Sequence, residues 1–128
     1  MSHMRAALIA WALLAALALP AAADMRSLQV TARFDGPVSL PPDAIIELRL
    51  LDVSRADAPS TELAVRRLPV TALPVVLELS YDAGAIDARM SCVVAALIRS
   101  GERVLYRTVT AYPVLTRGGS ETAAILLQ

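Results

Sequence analysis

From Ser27 onward the chain alternates apolar and polar positions in short stretches separated by turn residues. Leu28, Val30, Ala32 and Phe34 occupy every second position, with Gln29, Thr31 and Arg33 between them. A period of two is that of a strand with one buried face. Gly36-Pro37 and Pro41-Pro42-Asp43 interrupt it, and a second strand is expected over Ile45–Val53. There Ile46, Leu48 and Leu50 face one way, Glu47 and Arg49 the other. After a loop over Ser54–Ser60, Thr61–Leu68 reads as a weaker strand with Leu63 and Val65 on its inner face. Val75–Tyr81 is cleaner, with Val75, Leu77, Leu79 and Tyr81 set against Val76, Glu78 and Ser80. Asp82–Arg89 leaves room for one helical turn at most.

Ser91–Arg99 differs from the rest because both of its faces are apolar. Cys92, Val94, Ala96 and Ile98 form one face, and Val93, Ala95 and Leu97 the other. Ser100-Gly101-Glu102 is a tight reversal into a strand over Arg103–Tyr112, which makes a hairpin. A loop at Leu115–Ser120 holds Gly118-Gly119, and Thr122–Leu127 is the last strand. No sustained 3.6-residue period and no internal repeat is present. The pattern predicts an all-β domain, a seven-stranded antiparallel β-sandwich of immunoglobulin or transthyretin type, with a closed barrel as the alternative.

The start of the chain has another character. Arg5 precedes an apolar run from Ala6 to Leu19, and Ala21-Ala22-Ala23 follows Pro20. A charge, an apolar run and an Ala-x-Ala ending make up a secretory signal peptide, so residues 1–23 are read as leader and 24–128 as the domain. The run is short for a membrane span, which needs about 20 apolar residues. Lipidation would require a Cys after the cleavage site, where Asp24 stands, so no lipid anchor is expected. The expected address is across the inner membrane, in the periplasm.

Composition then removes whole classes of function. Residues 24–128 carry eleven arginines, no lysine and twelve carboxylates, a balance of −1 without the basic excess of a nucleic-acid binder. The single His, His3, lies in the leader, and Cys92 is the only cysteine. This excludes Ser-His-Asp and Cys-His catalysis in the domain, along with an internal disulfide and Cys- or His-based metal sites. No cofactor, metal site or catalytic set is expected, and the chain reads as a non-enzyme.

What chemistry remains belongs to surfaces. Cys92 reads as a buried small hydrophobe, with a redox thiol as the alternative. The carboxylates Asp43, Asp52, Asp57, Asp82 and Asp87 lack the close spacing of a calcium loop and suit turns, Asp52 bonding loop N–H groups. Arg66-Arg67 and Arg103 with Arg107 fit a solvated sheet face, or an anionic ligand. Tyr112 is read either as a ring packed inward with its hydroxyl bonded to a neighbouring loop, or as a stacking platform. The outward set Val93, Ala95 and Leu97 is the candidate partner surface, because an open apolar patch marks an interaction site.

Three motifs in order resemble a known family: Leu40-Pro41-Pro42-Asp43-Ala44, Leu51–Pro59 and Thr110–Thr116. Over about Leu28–Leu127 the chain resembles the YbaY/YscW group, small bacterial envelope proteins related to the lipoprotein chaperone, or pilot protein, of type III secretion. The resemblance implies a β-sandwich, an envelope address and no catalytic site. In the pilot branch it implies help to an outer-membrane secretin in localising and assembling. Many members carry a lipidated Cys where Asp24 stands, and polar or basic residues where Val93, Ala95 and Leu97 stand. The expected function is a binding module of the periplasm or cell envelope, a chaperone or pilot-like accessory factor holding a segment of an envelope client by sheet-edge pairing and an apolar groove. The alternative is a small-ligand or polysaccharide binder using loop residues Arg55, Tyr112 and Arg117 at one end of the sandwich.

Overall fold

Strand pairing sorts the alternating segments into two layers. The structure, a computed structural model, describes residues 23–128. The expected leader, residues 1–23, lies outside the described residues except for Ala23. Eight strands follow: β1 (Met25–Phe34), β2 (Ala44–Asp52), β3 (Thr61–Pro69), β4 (Val75–Asp82), β5 (Cys92–Ser100), β6 (Arg103–Arg107), β7 (Tyr112–Pro113) and β8 (Thr122–Leu127). A single 3-10 turn, Ala83–Ala85, sits between β4 and β5. The smaller sheet runs β4-β1-β8 and the larger β3-β2-β5-β6, with β7 also paired to β5.

The inner faces are those the alternation marks. Leu28, Val30 and Ala32 of β1, with Leu77, Leu79 and Tyr81 of β4 and Ile125 and Leu127 of β8, form one side of the core. Ile46, Leu48 and Leu50 of β2 and Cys92, Val94, Ala96 and Ile98 of β5 form the other. Each fully buried Leu or Ile contributes about 1.5–3 kcal/mol of transfer free energy, so this interdigitated layer dominates stability.

Four details depart from the sequence reading. First, the sandwich is not wholly antiparallel, because β8 lies parallel to β1. Two strands joined by a hairpin must run oppositely. Here β8 instead arrives from the other sheet through residues 114–121, and that crossover permits a parallel match.

Second, the expected strand Arg103–Tyr112 splits into β6 and β7. Thr108 ends the ladder: its N–H donates to the Ala96 carbonyl at 2.9 Å, and its Oγ1 accepts from the Ala96 N–H at 3.2 Å. With both Ala96 groups satisfied, Val109–Ala111 loop outward before Tyr112 rejoins β5 opposite Val94.

Third, Leu63 and Val65 do not share the inner face of β3. The register slips between Leu50 and Leu51, leaving an extra residue on β3. Leu63, Ala64 and Leu68 therefore pack on the core, while Val65 stands opposite outward-facing Arg49.

Fourth, both seams between the sheets are stitched. On one side Arg66 donates to the Glu78 carbonyl at 2.6 Å, reaching from β3 to β4. On the other, Arg107 and Gln128 exchange backbone bonds at 3.0 and 2.9 Å. The Tyr112 hydroxyl accepts from the Leu126 N–H at 3.0 Å, tying β7 to β8. The sandwich thus approaches the closed barrel without continuous ladders at its seams.

The loop before β8 is shaped by close approach. A Cβ on Gly119 would lie 2.7 Å from the Val114 carbonyl carbon, closer than packed atoms allow, so only glycine fits. Leu115 and Arg117 take positive φ, 66° and 54°, and aim the loop's side chains toward the β4–β5 connection.

The Tyr112 bond is testable. Tyr112→Phe leaves the Leu126 N–H without its acceptor, at a cost of about 1–2 kcal/mol. Urea unfolding should show a lower midpoint with an unchanged slope. An unchanged midpoint would mean that water replaces the hydroxyl at this seam.

Candidate functional site

Outside the core, the larger sheet turns a second face to solvent. Pairing of β2 with β5 sets Glu47 opposite Leu97, Arg49 opposite Ala95 and Leu51 opposite Val93. Val93, Ala95 and Leu97 form a row along the middle of this face, each half-buried. Pro113 flanks Val93 and Arg107 flanks Leu97. On the far side of β2, Arg67 stands opposite Glu47 and Val65 opposite Arg49. Long arginine stems bordering an apolar row cover part of it while their charged ends stay in water. Sheet neighbours flank Ala95 and Leu97, while at the other end of the row the loop residues Thr116 and Arg117 stand beside Val93.

The centre of the face is a carboxylate. Glu47 is only 7% exposed although it points away from the core. Its Oε1 takes the Arg99 Nε at 2.6 Å and the Arg67 Nε at 3.4 Å, and its Oε2 takes the Arg49 Nη2 at 2.9 Å. Arg49 also reaches Glu62 with its Nε, at 2.9 Å. Arg99 in addition donates to the Gly101 carbonyl at 2.9 Å, which fixes its guanidinium over the hairpin. The hydrogen bond from Arg99 and the fields of Arg49, Arg99 and Arg67 hold the Glu47 carboxyl below its ordinary range, outweighing the opposing effect of burial.

This network was not visible in the sequence. Alternation placed Glu47 and Arg49 outward, but Arg67 and Arg99 lie 20 and 52 positions away from Glu47, and only strand register brings them together. The one available signal was a Glu within a strand whose remaining outward residues are Arg and apolar.

Two of the three loop candidates, Arg55 and Arg117, come together at one end of the sandwich. A hollow of about 410 Å3 is lined by Ser54, Arg55, Asp87, Arg89 and Met90. Arg117 donates to the carbonyls of Arg89 at 2.7 Å and Met90 at 3.3 Å, so Arg55 and Arg117 meet through that shared segment. Tyr112 is placed elsewhere, its hydroxyl engaged with β8. A second hollow, about 260 Å3, is lined by Ser91, Cys92, Val93, Pro113, Thr116 and Arg117. It joins Val93 of the sheet-face set to Arg117 of the loop set.

The other residues singled out serve local structure. Asp52 accepts from the Ser54 N–H at 2.9 Å and its hydroxyl at 2.6 Å, and Asp82 accepts from the Gly84 N–H at 2.9 Å. Arg89 beside Asp87 brings that carboxyl down to about 2. Asp43 takes the Ser100 hydroxyl at 2.8 Å, fastening the start of β2 to the end of β5. Cys92 is buried, and burial pushes its thiol upward, against the thiolate that redox chemistry needs.

The family described as the type III secretion system lipoprotein chaperone (YscW) matches residues 23–127. A curated relative from Escherichia coli (strain K12), the uncharacterized lipoprotein YbaY, is 32% identical over 92 residues, 70% of this chain. The match spans 48% of that relative, so the chain corresponds to about half its length. Among solved structures, an alternative pilotin from the type II secretion system of Vibrio cholerae superposes with a TM-score of 0.77 at 27% identity. That match covers 81% of this chain and 96% of the pilotin.

The Glu47 network predicts a pH signature. Its folded pKa is lowered from 4.5, so its stabilisation is complete above that value and is lost as pH falls through the lowered one. Glu47→Gln should cost about 1–3 kcal/mol near neutral pH. The difference from the parent should shrink in acid, below the lowered pKa. Denaturant melts of both proteins across the acid range check this, and a pH-independent difference would assign the loss to packing.

Proposed function

The chain belongs to the YscW family of type III secretion system lipoprotein chaperones, and on that premise we propose that it is a non-enzymatic accessory chaperone of the bacterial envelope, working in the periplasm as a pilot-like factor for an envelope protein client. The observation that carries this reading is the near-complete superposition on a pilotin. The match covers 81% of this chain and 96% of the pilotin, so it supports an accessory role of the same kind, while the surface that would carry that role is argued from this chain's own residues.

On this reading the client docks on the outer face of the larger sheet, along Val93, Ala95 and Leu97. That row is a run of three successive outward positions, all apolar, on the water side of a half-solvated sheet. Strand addition at an edge is less favoured, since side-chain bonds from Arg66 and Tyr112 occupy the two seams. The ligand-binding alternative rests on the hollow beside Arg55. Arg117, its second candidate, already donates to two loop carbonyls and so acts as a brace.

The test uses the processed protein with a C-terminal tag, expressed in its native envelope. A photocrosslinking residue at position 97 should yield a discrete adduct with an envelope assembly component, and one at exposed position 76, on the other sheet, should not. Val93→Asp should reduce the adduct about tenfold while leaving the circular dichroism unchanged. Adducts absent from position 97, together with a clean co-purification, would overturn the chaperone reading and favour a small ligand.

A further inference from the structure

The charge of the chain is not evenly spread. Residues 24–128 sum to −1, yet the outer face of the larger sheet holds Arg49, Arg67, Arg99 and Arg107 against only Glu47 and Glu62. That face is +2 and the remainder of the domain is −3. The positive pole therefore coincides with the apolar row.

Both carboxylates on this face are paired, Glu47 nearly buried and Glu62 with its side chain 45% exposed. Glu47 lies beneath three guanidiniums and Glu62 is held by Arg49. The Arg67 side chain is 49% exposed even with its contact to Glu47, and Arg107 forms no ion pair among the described residues. These two cations border the row from opposite sides, Arg67 beyond β2 and Arg107 across from Leu97.

Resting on the accessory-chaperone reading, we infer that this face selects an acidic amphipathic polypeptide segment, whose apolar side chains lie on Val93–Leu97 and whose carboxylates meet Arg67 and Arg107. Charge complementarity argues for the sign of the partner. It argues against a second copy of this chain, since a twofold contact would set one positive pole on another. The small apolar area argues against a bilayer surface. Three half-buried side chains, one of them Ala95, offer little to insert into a membrane interface.

Binding is measured by fluorescence anisotropy on the processed full domain with three peptides sharing one set of leucines. Their polar positions are all Glu, all Gln or all Lys. The expected order is Glu over Gln over Lys, with affinity for the Glu peptide falling as salt is added. Arg107→Glu, at an exposed position with only its backbone engaged, should weaken the Glu peptide about tenfold and leave the Gln peptide unchanged. Arg67→Gln should act in the same direction more weakly. Equal affinity for all three peptides, no binding of the Glu peptide, or an unchanged affinity in both variants would each overturn the inference. Vesicles containing phosphatidylglycerol form a separate arm, and Arg107-dependent binding to them without peptide preference would make the face a membrane surface instead. An adduct from position 97 in the envelope combined with no acidic preference would sink this inference and leave the chaperone reading standing.

Discussion

The register of β2 is the constraint on which the rest depends. This strand lies between β3 and β5, and its alternation sends Ile46, Leu48 and Leu50 into the core and Glu47 and Arg49 to the water side. A slip of one residue would drive two charges inward and three large aliphatic side chains outward, reversing the sign of every burial term at once. The outward pair reinforces the choice. Glu47 is satisfied only where Arg67 of β3 and Arg99 of β5 stand alongside it, so one carboxylate reads the register of both neighbouring strands. Hydrophobic burial supplies most of the stability, and the ion network restricts which pairing receives it.

The two sheets are joined differently from the strands within them. The core holds them face to face, while the seams are closed by single bonds from Arg66, Tyr112 and the last residue of the chain. These bonds fix individual positions along each seam without extending either ladder across it.

Much of the architecture was legible in the sequence because period-two alternation is a local signal. Leu28 to Phe34 or Val75 to Tyr81 announce both a strand and its buried face without reference to any partner. What was not legible depends on pairs. The inner face of β3 was misread because the bulge beside Leu50 is a property of two strands, and no residue of β3 alone marks it. The break at Thr108 follows from a bond to Ala96, and the parallel approach of β8 to β1 from a crossover that composition does not disclose. The site divides in the same way. Val93, Ala95 and Leu97 stood out as a lapse in alternation, whereas the ring of arginines around Glu47 is assembled from three strands and became visible only with their register.

That ring also resolves an apparent conflict in the open face. An apolar row on the water side of a sheet should promote self-association, and here it is bordered by side chains of one sign. Two copies meeting face to face would bring eight arginines together against four carboxylates already engaged. The same arrangement disfavours a second copy on that face and, on the inference drawn above, would favour a segment of opposite charge. A lysine would serve less well at positions 49 and 99, because each of these guanidiniums reaches Glu47 with one nitrogen and a second acceptor, Glu62 or the Gly101 carbonyl, with another. The absence of lysine from the whole chain is a matter of composition, but on this face arginine has a structural reason. Arg49 and Arg99 tie the nearly buried carboxylate to its surroundings, while Arg67 touches it and keeps about half of its side chain in water.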